Sequence, residues 1–381
     1  MIESVETLIV GAGPTGLFLA SELTRRGRQC AIVERNTAAA RHSKALALMP
    51  GTMELFERAG IEAPFRNAAN RVDCVRFVTP RREALISFAQ IRSRYNYVSI
   101  LPQWKTQALL EQHLRHVGVR VRYAHRLLTF HEIASGVEAV VETPEGVQRM
   151  RARYLAGCDG IHSTVRETAR IAFKGDAYPG VALLADAYVD TPIAANEARV
   201  HLFGGGVVTM FPMGEKVRRI VVIAPREVLP ESASTQWLQQ RLRDAGYAGC
   251  AVVRTQWSNT FRVHRRVAER MRRGRVLLAG DAVHTHSPVG GQGMNVGLHD
   301  ASNLAEHLAQ VLGGAPERLL DRYEAQRLPV ARAVVRRTDV LTRALLHPNP
   351  ILRATRERFG PRLAAFPAIH RPLVRALSLT A

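Results

Sequence analysis

Thr7-Leu8-Ile9-Val10-Gly11-Ala12-Gly13-Pro14-Thr15-Gly16 opens the chain and sets its architecture. The first four residues form a short apolar run of the kind a buried parallel strand carries. Beyond Gly16, residues Leu17, Phe18, Leu19, Ala20 and Leu23 continue at helical spacing. Arg25-Arg26-Gly27 then supplies a basic last turn and a glycine stop. The GxGxxG pattern therefore lies between a strand and a helix, the setting in which it has physical meaning. Gly11 permits a tight turn, Gly13 lets backbone approach a pyrophosphate, and Gly16 lets helix and strand close up. The helix N-terminus then offers free N–H groups and a partial positive charge to phosphates. A second strand over 29–33 runs into Glu34-Arg35. Glu34 follows Gly13 by 21 residues, close to the acid expected about 20 residues on to hold a ribose hydroxyl. These residues predict a dinucleotide-binding βαβ unit, without separating FAD from NAD.

The chain has 381 residues, more than one compact domain usually takes, so two lobes are expected. The first apolar run follows Glu3 and Glu6 rather than a basic segment, so it reads as a strand and not a signal peptide. No run reaches the roughly 18 apolar residues of a membrane span. Cys30, Cys74, Cys158 and Cys250 are scattered with no CxxC pair, which disfavours a zinc site or a disulfide framework and suits a reducing cytoplasm. The net charge is +20, yet the only lysines are Lys44, Lys105, Lys174 and Lys216, so arginine supplies the other 49 of the 53 basic residues. The arginines are dispersed and form no nucleic-acid module, so nucleic acid is not an expected partner. Their field still favours anionic small molecules.

No internal repeat is present. Residues 54–60 read as a short helix, 72–98 as strand-rich, and 105–117 as a helix with Leu110, Leu114 and Val117 buried. Short strands over 119–150 are joined by a turn at Pro144-Glu145-Gly146. From 180 to 263 apolar strands recur (181–184, 207–211, 220–224, 251–253), with a turn at Met213-Gly214-Glu215-Lys216 and one helix near 234–243. This predicts an antiparallel sheet inserted into the nucleotide-binding lobe. Val276–Ala279 is another buried strand, delivering Gly280-Asp281 at its C-terminal edge, where ligands of open α/β sheets bind. A helix with Leu298, Ala301, Ala305, Leu308 and Leu312 on one stripe follows.

Two further stretches join the first. Gly157-Cys158-Asp159-Gly160 sits near the middle of the chain, and Gly280-Asp281 leads into Pro288-Val289-Gly290-Gly291-Gln292-Gly293-Met294-Asn295. A carboxylate at 281 can accept hydrogen bonds from a sugar-alcohol chain. The side-chain-poor loop before a helix lets backbone lie against a flat ring, with the helix dipole aimed at its electron-rich edge. In this order and at these separations the three stretches point to bound FAD.

On these motifs the chain resembles a class A flavoprotein monooxygenase of the para-hydroxybenzoate hydroxylase fold, in the branch acting on phenols and aromatic polyketides. The resemblance spans nearly the whole chain and is most specific over 157–166 and 278–303. It implies an α/β fold with an α+β insert. The Rossmann-like FAD-binding lobe would comprise 1–71, 99–175 and 268–340, and the antiparallel-sheet substrate domain 72–98 and 176–267. A C-terminal helical segment would occupy 341–381, without the thioredoxin-like domain that larger members carry. From Leu341 the tail is basic and apolar by turns, which suits a helical lid over the FAD lobe or a dimer contact, with a membrane contact the alternative.

The resemblance also implies residue roles. Gly11 to Gly16, with Ala12, Pro14 and Thr15, would hold the pyrophosphate, and Glu34 with Arg35 the adenosine ribose. Lys44 stands where arginine is usual near the diphosphate, and Gln103 would touch flavin or ribityl chain. Asp159 and Arg166 belong to a motif tied to FAD and NAD(P)H. Gly280 and Asp281 would bind the ribityl chain, Pro288 would lie over the reactive edge, and Gly291, Gln292, Gly293, Met294 and Asn295 would wrap the pyrimidine ring. Gln107 replaces a common glutamate. The implied reaction is hydroxylation of a small aromatic with NAD(P)H and O2 through a flavin C4a-hydroperoxide.

Tyr178, His201, Met210, Phe211 and Pro212 are expected to wall the substrate pocket, with plain core packing the alternative for each. Pro288, His286 and His201 are candidates close to the chemistry. His284 and His286 could act as bases or simply brace the flavin loop. A monomer or homodimer and a cytoplasmic location are expected. An epoxidase- or halogenase-like oxidoreductase, or a flavin carrier without turnover, are the alternatives. Trp104, Trp237 and Trp257 lack the WxWxIP spacing of the halogenases.

Overall fold

The computed structural model describes residues 2–42, 45–80, 82–203, 206–225 and 229–345, with 349, 351, 354, 355, 358, 359, 374, 375 and 378–380. The chain begins β1 (Glu3–Val10), α1 (Pro14–Arg25), β2 (Cys30–Val33), β3 (Ala47–Leu48), α2 (Pro50–Arg58), α3 (Glu62–Ala68), β4 (Asn70–Val72), β5 (Cys74–Val78), β6 (Glu83–Ser87) and β7 (Val98–Ile100). It continues with α4 (Gln103–His116), β8 (Val121–Arg122), β9 (Arg126–Ile133), β10 (Gly136–Thr143), β11 (Gly146–Gly157) and α5 (Thr164–Thr168). Then come β12 (Phe173–Asp190), β13 (Glu197–Phe203), β14 (Gly206–Pro212), β15 (Val217–Pro225), α6 (Thr235–Asp244) and β16 (Ala251–Ala268). The last elements are β17 (Arg272–Arg273), β18 (Val276–Leu278), β19 (His284–Thr285), α7 (Gly293–Leu312) and α8 (Leu320–Leu345).

Three sheets organise these elements. The first has the order β17-β18-β11-β1-β2-β8, with β10 and β9 folded back on β11. Its central strands are parallel, and Leu8, Ile9, Ile32, Leu155 and Leu277 are fully buried; with Thr7 fully buried too, both faces of β1 are covered. That two-sided burial is why these strands are continuous apolar runs. Helices α1 and α7 cover it with Leu17, Phe18, Leu19, Leu298, Leu304 and Leu308 in the same core.

The second sheet has the order β19-β16-β12-β15-β14-β13-β5-β6. Most of its pairs are antiparallel, as the sequence predicts, but β13 and β5 run parallel. Beneath one face lies α6, whose Leu238 and Leu242 pack with Leu183, Ala185, Val208, Met210, Ile220 and Val222. The other face carries Ala182, Leu184, Val221, Ile223 and Val263, against which Tyr178, Phe211, Trp257, Phe261 and Val289 pack. Because side chains alternate, one register step decides which face a residue serves. The small third sheet has the order β3-β7-β4.

Several expectations need correcting. The short strands expected at 181–184 and 251–253 are parts of β12 and β16, each 18 residues long. The helix expected over 105–117 begins at Gln103, and its buried stripe is Thr106, Leu110 and Leu114, while Val117 is exposed. Of the expected helical segment 341–381, residues 341–345 belong to α8. Most of the remainder lies outside the described residues. Within it, Val374 is buried beside Leu46, Met49 and Val98.

Candidate active site

Val33, Val10, Gly157 and Leu278 stand side by side, in register, at the C-terminal ends of β2, β1, β11 and β18. The row is sealed by three main-chain bonds: Gly11 N–H to Val33 O at 2.8 Å, Cys158 N–H to Val10 O at 2.8 Å, and Ala279 N–H to Gly157 O at 3.0 Å. Glu34, the glycine loop, the Asp159 turn and the Gly280-Asp281 turn therefore leave the sheet along one line. This is the crevice where open α/β sheets bind nucleotides.

Within it Gly11 has φ +104°, and a Cβ there would meet Cys158 O at 2.5 Å; a Cβ on Gly16 would meet Gly11 O at 2.0 Å. Only glycines let loop and helix pack this closely. Above Gly13, by contrast, nothing lies within 4 Å of a built Cβ. Helix α1 begins there, and both α1 and α7 start without a side-chain cap, leaving their first N–H groups available to a ligand. Thr15 Oγ1 lies against both Gly280 and Gly297, so α1, the 280–282 turn and α7 meet at one corner. Asp281 is exposed on that turn. A side-chain-free cradle, two uncapped helix starts and an acid on the same crevice fit the pyrophosphate, flavin and ribityl parts of FAD.

A family model described as an FAD binding domain matches residues 4–338. The "Uncharacterized aromatic compound monooxygenase YhjG" of Bacillus subtilis (strain 168) is 34% identical, covering 91% of this chain and 70% of that protein. The "12-dehydrotetracycline 5-monooxygenase/anhydrotetracycline 6-monooxygenase" of Streptomyces rimosus is 33% identical over 92% of this chain and 72% of its own length. Among solved structures, p-nitrophenol 4-monooxygenase PnpA from Pseudomonas putida DLL-E4 superposes with a TM-score of 0.88 at 25% identity, covering 99% of each chain.

The chain belongs to the class A FAD-dependent aromatic monooxygenases.

In this monooxygenase several sequence-predicted residues support the cradle from behind. Glu34 accepts the Ala12 N–H at 2.9 Å and the Asn36 N–H at 3.0 Å, so its carboxylate ties β2 to the glycine loop; Arg35 beside it is exposed. Gln103 is half-buried in the first turn of α4. One turn on, Gln107 donates to Ala12 O at 3.2 Å, giving the glutamine that replaces the usual glutamate a loop-holding role. Asp159 accepts from the Ser163 hydroxyl and from Val165 N–H at 3.1 Å, while burial pushes its carboxyl pKa up. Arg166 is buried and donates to Ala282 O at 3.0 Å and Ile161 O at 2.9 Å, bracing the Asp159 turn against the Asp281 turn. Lys44 lies outside the described residues.

In the flavin loop, Pro288 and Gly291 are exposed, Gly293 and Met294 are half-buried at the start of α7, and Gln292 and Asn295 are fully buried. Asn295 accepts Met49 N–H at 2.9 Å and donates to Ala47 O at 2.8 Å and Gly291 O at 3.0 Å. Its side chain thus clamps β3 to the loop. His286 Nδ1 lies 2.8 Å from Ser287 O, which makes that nitrogen the protonated one; burial lowers its pKa to about 4. Its Nε2 is buried without a hydrogen-bond partner among the described residues and lies beside Gly293 at the start of α7.

None of the sequence motifs includes Asp300. It is fully buried in α7, and its carboxylate accepts His284 Nε2 at 2.7 Å, Arg327 Nε at 2.7 Å and Gly280 N–H at 3.3 Å. Burial works to raise its pKa, but Arg327 and His284 outweigh it and hold the carboxyl at about 2. Arg327 also donates to Val296 O at 3.3 Å, and Tyr323 hydroxyl to Leu278 O at 2.6 Å. Helix α8 therefore fixes the turn carrying Asp281. A lone acid on the apolar stripe of α7 was the available signal.

The expected pocket wall divides. Phe211 stands opposite Arg219, on the face that meets the flavin loop. His201 and Met210 do not: Met210 packs with the α6 core, and His201 hydrogen-bonds Ala245 O at 2.8 Å and stacks on Tyr247. Pro212 shares the face of Met210 by alternation. Burial holds His201 near pKa 4. Tyr178 is on the flavin-side face, but its hydroxyl is committed to Asp339 of α8 at 2.9 Å.

Proposed function

We propose that the monooxygenase hydroxylates a planar, electron-rich phenolic or fused-ring aromatic, with NAD(P)H as electron donor and O2 as co-substrate. The alignment of Val33, Val10, Gly157 and Leu278 carries this reading, because it collects all three cofactor stretches at one sheet edge. The tetracycline and nitrophenol named for the relatives suggest aromatic substrates from one to four rings. Only one GxGxxG turn follows a strand, which favours a transient NAD(P)H visit over a second nucleotide fold.

Bound FAD would supply the redox chemistry and the activation of dioxygen. The chain's own part is to bind, orient and dehydrate. Gly11 to Gly16 would take the pyrophosphate, Glu34 the ribose edge, and Gly280-Asp281 the ribityl hydroxyls. The uncapped start of α7, with Gly291 to Asn295, would face the pyrimidine edge and favour the negative charge of the reduced ring. The lobe formed by 72–98 and 176–267 would present its apolar face across 1–71, 99–175 and 268–340, excluding water from the reacting atoms. No side chain is assigned as a base. Among the described residues no helix is long and apolar enough to cross a membrane, and four free cysteines favour a reducing compartment.

Purified protein should be yellow, and phenols should accelerate NAD(P)H consumption while the product gains the mass of one oxygen. Flavin that is reduced equally fast with and without every phenol tried, with no oxygenated product, would sink the proposal.

A further inference from the structure

On the flavin-side face of the second sheet, one row reads Trp257, Asp186, Arg219, Phe211 across β16, β12, β15 and β14. Its centre is rigid. Arg219 is fully buried and donates Nε and Nη2 to the two Asp186 oxygens, each at 2.7 Å. Its Nη1 reaches Ala45 O at 3.4 Å, in the segment that follows β2. The Arg219 guanidinium carbon lies 5.8 Å from the Trp257 ring centroid. Aromatic side chains flank this ion pair at both ends, and Val289 of the flavin loop packs into the same apolar cluster as Trp257, Phe211 and Phe261. The indole is half-buried, so part of it is reachable.

What touches that indole is informative. The imidazole of His42 lies parallel to it, 6° between planes and 5.2 Å between centroids. His42 is itself exposed, and no hydrogen bond or ion pair holds it among the described residues. A flat ring weakly retained on a rigidly mounted indole marks a slot for a flat ring. The cluster beneath is aliphatic and aromatic, so a ring arriving there is stacked and dehydrated together.

We propose that Trp257 is the stacking platform for the aromatic substrate and that His42 is its displaceable cover. The proposal rests on the hydroxylase reading above. Binding then exchanges one stack for another, and the net gain grows with ring area. Fused-ring substrates gain more than single rings, which makes Trp257 a specificity-determining residue. His42 lowers affinity by competing for the indole face.

The test titrates the FAD-loaded enzyme with 1-naphthol and with phenol, following flavin absorbance and tryptophan fluorescence. Trp257→Leu should keep its FAD and raise the Kd for 1-naphthol about tenfold, the effect on phenol being smaller. Trp257→Phe should restore affinity to within about threefold while abolishing most of the ligand-induced tryptophan quenching, since Trp104 and Trp237 lie elsewhere. His42→Ala should bind 1-naphthol about twofold or more tighter, a sign that a merely structural stack would not give. The platform is overturned if the parent binds 1-naphthol and Trp257→Leu binds it equally well, or if His42→Ala weakens binding. A parent that binds neither ligand and oxygenates no phenol overturns the hydroxylase reading and the platform with it. Should Trp257→Leu lose its flavin, the Trp257→Phe quenching and the His42→Ala affinity decide.

Discussion

Asp281 and Asp300 are acids of neighbouring elements that do different work. Asp281 is exposed on the 280–282 turn at the end of β18, and the proposed function gives its carboxylate the ribityl hydroxyls as partners. Asp281→Ala is therefore expected to give largely colourless protein whose melting temperature falls to that of the flavin-stripped parent, because the ligand's stabilisation is lost. The ratio of flavin to protein absorbance measures this, and full retention of flavin rejects the role. Asp300 is buried against Arg327 and His284. Asp300→Asn leaves Arg327 with a weakened partner and is expected to cost about 3–5 kcal/mol of unfolding free energy, read as a lower urea midpoint in the flavin-free protein. An unchanged midpoint would show that the network is not a brace. Asp281 was legible in the sequence because its turn follows a buried strand. Asp300 was not, since Arg327 lies 27 residues further on and no local pattern pairs the two.

At the scale of elements, the second sheet was legible as a set of strands but not as two faces. Met210 and Phe211 are adjacent, yet one meets α6 and the other meets the flavin loop. The choice depends on the register of β14 against β15, which nothing in the local sequence fixes. Met210→Ala should behave as a core truncation, costing about 2–5 kcal/mol with the substrate KM unchanged. Phe211→Ala should cost less stability but raise KM about tenfold. Denaturant melts and steady-state kinetics on the two variants separate them, and an equal rise in KM for both would refute the facing assigned here. The length of β12 and β16 was hidden for a related reason. β16 carries arginines at 254, 262, 265 and 266 and is only patchily buried. Its register against β12 shifts at three irregularities along the pairing, so no single alternation persists. By contrast the parallel strands β2 and β18, expected over 29–33 and 276–279, were readable to within a residue.

For the whole molecule, the net charge of +20 and the buried histidines act together as the pH falls. His201, His286 and His299 are each held near pKa 4 by burial, against an ordinary value of 6.5. A depressed folded-state pKa means that the unfolded chain takes up the proton first. The stability these neutral rings contribute is complete above about pH 6.5 and is lost progressively as pH falls toward 4. For the nearly fully buried His201 the loss is on the order of 2–3 kcal/mol. Asp300, held near 2, contributes nothing to this window, because its stabilisation is lost only below the ordinary aspartate value of 3.8. Self-repulsion of the basic surface deepens the same decline as carboxylates neutralise. The melting temperature should therefore fall between pH 6.5 and pH 4.5, before most carboxylates titrate. His201→Phe keeps a ring on Tyr247 but removes one titrating group, so its curve should be flatter across that window even if its plateau is lower. Parallel curves for parent and variant would mean that protonating His201 is not what destabilises the fold in mild acid, and would leave the slope to surface charge alone.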